Sequence, residues 1–196
     1  MLSLSVLFWM MILLFALSGS LRGWAKEIVA ASGLILSLFA INQFGFLLVN
    51  LFGWTTEALG DPTLAHRRQF YLFAGIHLMI TFFSYQGPRI SSGLGQRLKP
   101  RDNLQDKLLG GIVGAINGYL VVGALWAFLE YQIGGASNWV QLAPGVAYPF
   151  DPTIITRPEV GSTAYNIISK LPIPFLVPYL GYIMVLVFLF LIIVMI

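Results

Sequence analysis

Side chains able to do chemistry are few: two histidines, eight Asp and Glu, eleven Lys and Arg, and no cysteine in 196 residues. His66 and His77 stand eleven positions apart, about three helical turns, so they cannot grip one metal ion from a single helix. Without cysteine there is no thiol nucleophile, zinc–thiolate site, iron–sulfur cluster or disulfide. The spacings HExxH, GxSxG and GxxxxGK[ST] are absent, and the run Gly93-Leu94-Gly95-Gln96-Arg97-Leu98 lacks the third glycine of a dinucleotide fingerprint and follows no strand. No catalytic, cofactor-binding or metal residue is assigned, and the expectation is a chain without enzymatic activity or cofactor. His77 reads as a hydrogen-bonded structural group in an apolar helix; its functional alternative is a proton relay or cofactor ligand.

The elements that would position these groups are membrane helices. Hydrophobic residues make up 58% of the chain and charged ones 10%, against about 25% charged in soluble domains, and mean hydropathy is +0.82. The expected fold class is all-α: a polytopic integral membrane protein of about five transmembrane helices. The apolar stretches fall near residues 2–21, 28–54, 69–85, 108–129 and 172–196. Residues 1–21 hold no Lys or Arg and exceed a signal-peptide core in length, so they are expected to stay as a helix. Asn42, Gln43 and Asn50 in the second stretch read as hydrogen-bonding glue between helices. The eight acids lie near span ends or in loops, which disfavours an ion-coupled transporter or a charge-lined channel.

Between the fourth and fifth spans lies a loop of about forty residues, with Gly134-Gly135, Pro144, Pro149, Pro152 and Pro158 barring one continuous element. A short amphipathic helix is expected over residues 162–171, with Ile167, Ile168 and Leu171 on the membrane surface and Asn166 and Lys170 toward water. Trp139 and Tyr148 are candidate contacts for a partner. Lys and Arg total seven in the loops before spans two and four, and four in the others. The positive-inside rule then puts the N-terminus outside and the long loop with it. Net charge is +3, but the basic residues are too scattered for a nucleic-acid surface. The basic residues between 89 and 107 set topology or bind anionic lipid.

Two patterns stand out. Gly110, Gly114 and Gly118 recur every four residues and share one face of the fourth helix, where a missing Cβ lets another backbone come close, within this chain or from a partner or second copy. Arg22-Gly23-Trp24-Ala25-Lys26-Glu27 forms a tight cytoplasmic link between the first two spans, with Gly23 at the turn and Trp24 at headgroup level. An ion pair from Arg22 or Lys26 to Asp106 would clamp that hairpin to the foot of the fourth span, with Lys107, Arg101 or lipid phosphates as competing partners. The cytoplasmic foot is thus Arg22, Gly23, Lys26, Glu27, Asp106 and Lys107.

At these motifs the chain resembles the colicin V production (CvpA) family of bacterial inner-membrane proteins. Leu21-Arg22-Gly23-Trp24-Ala25-Lys26-Glu27 is similar to the family's Arg-Gly-aromatic-x-basic-Glu turn. Asp106-Lys107-Leu108-Leu109-Gly110, followed by Gly114 and Gly118, is similar to its Asp-basic-x-Leu-Gly-x3-Gly-x3-Gly approach to the fourth helix. The chain departs from the family at Ser5, where many members are acidic, at Asn117, where many are basic, and in its apolar C-terminal span. The resemblance implies a family core at residues 1–130, an extracytoplasmic segment at 131–171 and an additional span at 172–196. It further implies a role in toxin production or export and in envelope maintenance. The leading expectation is a chain that acts through assembly with other membrane proteins or copies of itself in the bilayer, with no nucleic acid and no evident small-molecule substrate. The alternative is an accessory subunit of a large respiratory or photosynthetic complex; a small transporter or channel ranks third.

Overall fold

A computed structural model of the chain describes residues 3–86, 103–143, 146–151 and 154–195. Gly87-Pro88, Asp102, Pro144, Pro152 and the basic residues Arg89, Arg97, Lys99 and Arg101 lie outside the described residues.

The chain is a helical bundle capped at one end by a small hairpin. Helix α1 (Leu4–Arg22) turns through Gly23 into α2 (Trp24–Leu51). A short α3 (Thr56–Leu59) follows, its first turn capped by the Thr55 hydroxyl accepting from the Ala58 amide at 3.1 Å. Helix α4 (Pro62–Gln86) starts where Asp61 Oδ1 accepts from the Thr63 and Leu64 amides at 2.8 and 3.2 Å. Pro62, which has no amide to satisfy, suits that first turn. Helix α5 (Asn103–Glu130) runs into the antiparallel strands β1 (Tyr131–Gly135) and β2 (Asn138–Gln141). After an irregular stretch come α6 (Thr163–Ile168), α7 (Pro172–Leu176), a 3-10 turn (Val177–Tyr179) and α8 (Leu180–Met195).

Among the described residues four helical stretches are long and apolar enough to cross a membrane: Leu4–Arg22, Trp24–Leu59, Asn103–Glu130 and Thr163–Ile193. Helix α4, expected as the third span, has 25 residues but falls short in apolarity because polar side chains such as His66, Gln69, His77 and Thr81 lie along it. Those four are buried inside the bundle. Helix α4 runs from one end of the bundle, where His66 meets the Leu129 carbonyl, to the other, where Tyr85 meets Glu27. His66 to Tyr85 is roughly 29 Å of helix, close to the thickness of a hydrocarbon core.

The core lies between α2, α4 and α5 around Leu34, Leu38, Ile41, Phe73, Ala124 and Phe128, all at most 1% exposed. Helix α1 packs antiparallel on α5, leaving Val6, Leu13 and Leu17 outward. Surface that apolar is expected where lipid is the solvent.

The outer segment differs from its expectation in three ways. A hairpin forms where a loop was expected: Ser137, with φ of +56°, turns the chain, and the Trp139 ring packs at 5.5 Å from Phe73 and 6.0 Å from Phe128. Asn42 therefore binds the hairpin, with no helix partner for its side chain among the described residues, its Oδ1 accepting from Trp139 Nε1 at 3.0 Å and its Nδ2 donating to Ser137 Oγ at 3.4 Å. Helix α6 forms within the expected stretch but is shorter, six residues from Thr163 to Ile168, capped by Ser162 Oγ accepting from the Tyr165 amide at 3.1 Å. Its last residue, Ile168, and Leu171 beyond it, expected on the membrane surface, are instead buried in the core at 2% and 0% exposure.

Candidate functional site

Three buried constellations run along the bundle. The first joins the α1–α2 corner to α4 and α5. Gly23 holds φ of +86°, a conformation open to glycine, and its N–H donates to the Gly19 carbonyl at 2.9 Å. A Cβ there would fall 2.7 Å from Asp106 Oδ2. The Trp24 amide at the start of α2 donates to Asp106 Oδ1 at 3.1 Å, so the carboxylate caps the helix and draws the corner onto α5. The expected ion pair to Asp106 is thus replaced by a backbone contact. Arg22 pairs instead with Glu27, NH1 to Oε1 at 3.4 Å, and lies over the Tyr85 ring at 4.3 Å.

Glu27, in the first turn of α2, is only 1% exposed. Its Oε2 accepts from Asn117 Nδ2 at 2.7 Å and from the Tyr85 hydroxyl at 3.2 Å. Asn117 Nδ2 also donates to the Glu27 carbonyl at 2.9 Å. Of the foot residues, Arg22, Gly23, Glu27 and Asp106 meet here, whereas Lys26 and Lys107 have no side-chain partner among the described residues. Tyr85 was not anticipated. Asn117, noted only as a departure from the family, holds the buried acid.

Above the foot lies the glycine ladder. A Cβ at Gly110 would strike the Gly19 carbonyl oxygen, and one at Gly114 would meet the Phe15 carbonyl oxygen and come 3.0 Å from Gly19 Cα. At Gly118 it would fall 3.0 Å from Ile12 Cα. The ladder seats α1 of the same chain, backbone against backbone, and Gly19 on α1 is its counterpart.

At the opposite end Glu130, 0% exposed, closes α5. Arg157 grips it with two bonds, NH2 to Oε1 at 2.6 Å and Nε to Oε2 at 3.1 Å. The Tyr148 hydroxyl and Gln141 Nε2 add bonds of 2.8 Å each. Arg157 also donates to the carbonyls of Leu142 and Ala143 at 2.8 and 2.7 Å, so one guanidinium ties the hairpin and its following loop to the bundle. Burial opposes its charge, but the Glu130 carboxylate outweighs that and raises Arg157 above its usual range. Burial, and then the Glu130 charge, pushes the Tyr148 phenol far up. Tyr148 and Trp139, expected to face a partner, are bound inward because each polar tip finds a buried acceptor. In the sequence this clamp is signalled only by an acid closing a span and one arginine in the long loop.

Between the two ends, His77 Nδ1 lies 2.7 Å from Ser37 Oγ, and the Thr81 hydroxyl donates to the His77 carbonyl at 2.7 Å. His66 Nε2 lies 3.0 Å from the Leu129 carbonyl. Each of the two rings is thus paired on one side; among the described residues Nδ1 of His66 and Nε2 of His77 have no hydrogen-bond partner. No group of three His, Cys, Asp or Glu able to hold a metal ion occurs among the described residues.

None of the curated proteins or solved structures compared with the chain matches it. The family model described as colicin V production protein matches residues 4–151, from the start of α1 through the hairpin to just beyond Tyr148. Both buried acids and the whole glycine ladder fall within that range, and this multi-pass membrane chain belongs to the colicin V production protein family.

Proposed function

We propose that the chain is a non-enzymatic component of the bacterial inner membrane that supports toxin production or export and envelope maintenance by assembling with other membrane proteins or with copies of itself. The observation that carries this is the family match over residues 4–151. The mode of action is supported by α8, which lies beyond the matched region. Past Leu180 none of its described side chains is buried, and Tyr182, Val185, Leu186, Phe188 and Leu189 are exposed. The acids Glu27 and Glu130 are held by Arg22 and Arg157, which fits a structural use of charge.

In this reading α4 crosses the bilayer with the other helices, and the hairpin end faces outward, as the distribution of Lys and Arg requires. A reporter enzyme active only outside the cytoplasm, fused after Asn138, is expected to be active; activity of a cytoplasmic reporter at that site would reverse the orientation.

The decisive experiment is extraction in mild detergent followed by native-gel separation and mass spectrometry, paired with deletion of the gene. A homo-oligomer or a substoichiometric set of envelope proteins, with a defect in toxin export or envelope integrity on deletion, is expected. Fixed stoichiometry in a large respiratory or photosynthetic complex would overturn the reading.

A further inference from the structure

A cleft of about 560 Å³ opens sideways between α1 and α5 beneath α6. Its apolar wall includes Trp9, Ile116, Tyr119 and Ile167, and Asn166 and Lys170 form its rim. The rim is fixed in place: the Tyr119 hydroxyl on α5 donates to the Lys170 carbonyl at 2.7 Å. The Lys170 side chain is exposed and has no hydrogen-bond or ion-pair partner among the described residues. Below the cleft an exposed apolar face continues on each helix, since Leu13 and Leu17 follow Trp9 at four-residue steps on α1 and Ile112 and Leu108 do the same from Ile116 on α5. From Trp9 to Leu17 the face beside the α1–α5 seam measures roughly 12 Å, close to the depth of one leaflet of a 30 Å core.

We propose that this cleft is a binding site for one glycerophospholipid, with the phosphate on the Lys170 ammonium and an acyl chain in the seam between α1 and α5. The charge at the rim is complementary to an anion and the apolar wall to a hydrocarbon, and a phospholipid supplies both in that order along the bilayer normal. The amphipathic segment around α6 is then the lid of a lipid seat: Ile168 and Leu171 anchor it in the core, while Lys170 is left free to bind. The site does not depend on which proteins the chain assembles with.

The test uses the full chain in mild detergent, with bound dioleoyl phosphatidylglycerol counted by native mass spectrometry. One lipid per chain is expected to persist through detergent washing. Lys170→Gln should lower its occupancy about fivefold, the effect of one surface cation on an anionic headgroup. Ile116→Trp, which fills the cleft and keeps the charge, should lower it too, whereas Arg67→Gln, an exposed cation on α4 that does not line the cleft, should leave it unchanged. Wild-type occupancy in both cleft variants, or an equal loss in Arg67→Gln, would overturn the site. Displacement by inorganic phosphate, or equal binding of dihexanoyl phosphatidylglycerol, would reassign it to a free anion and overturn the lipid.

Discussion

One amide nitrogen, Nδ2 of Asn117 on α5, donates to both the backbone carbonyl and the carboxylate of Glu27 on α2, at 2.9 and 2.7 Å. Asn117 is 0% exposed and Glu27 1%. The contact joins helices ninety residues apart in sequence, and it lies directly above the corner where α1 turns into α2. Asn117→Leu removes the donor and leaves a buried acceptor, a change of about 1–3 kcal/mol or more for a charged group. Denaturant unfolding in detergent is expected to lose that much stability, with helix content unchanged.

Arg22 and Glu27 form a coupled pair, 3.4 Å apart, with Glu27 wholly buried. Arg22→Ala leaves the acid without its cation and is expected to destabilise the chain by about 3–5 kcal/mol. Adding Glu27→Gln should recover part of that loss. A double-mutant cycle in which the two losses simply add would refute the coupling.

Backbone contact along the ladder leaves no room for one methyl group. Gly114→Ala would press on the Phe15 carbonyl and on Gly19 Cα, 3.0 Å from the new Cβ. A loss of about 1–3 kcal/mol is expected, and Gly114→Leu should displace α1 altogether. Cross-linking between cysteines placed on α1 and α5 measures the displacement, and an unchanged cross-link in Gly114→Leu would refute the close approach.

The outer clamp gives the chain an alkaline limit. Tyr148 keeps its proton far above the ordinary range, because of burial first and Glu130 second, and Tyr131 is raised to about 12 by the same causes in the same order, with Tyr165 adding to them. In the unfolded chain both release their protons near pH 10. Above pH 10 the unfolded state therefore binds fewer protons than the folded one, and stability falls as pH rises. The melting temperature is expected to drop between about pH 10 and pH 12, with a shallower slope in Tyr148→Phe; an identical slope would exclude Tyr148 as a source.

Much of this architecture was legible because apolar runs and missing Cβ atoms are local properties. The ladder could be read from spacing, and the turn at Gly23 from one glycine between two spans. The partners of charged groups could not. Arg22 or Lys26 was expected on Asp106, yet Asp106 is taken by the Trp24 amide and Glu27 turns inward to Asn117. Such pairings depend on how α2, α4 and α5 rotate against each other, which no single helix pattern encodes. The hairpin escaped notice for a related reason: its strands have five and four residues, and they are held by Asn42, Gln69 and Phe73 from distant helices. Helix α4 covers the expected stretch 69–85 but begins earlier, at Pro62, and its shortfall in apolarity reflects the polar groups that pair inside the bundle.

The surface on which α1 rests is supplied by α5, with Gly19 against Gly110 and Gly114. Some ninety residues separate these glycines. At a synthesis rate of 5–20 residues per second, the first helix therefore waits on the order of ten seconds after emerging before its seat exists. During that interval Gly19 faces lipid or the insertion machinery, and the groove beside it is open to whatever helix is nearby. Biogenesis of this protein thus has an ordered step, in which α1 docks only after the later-made α5 supplies its seat.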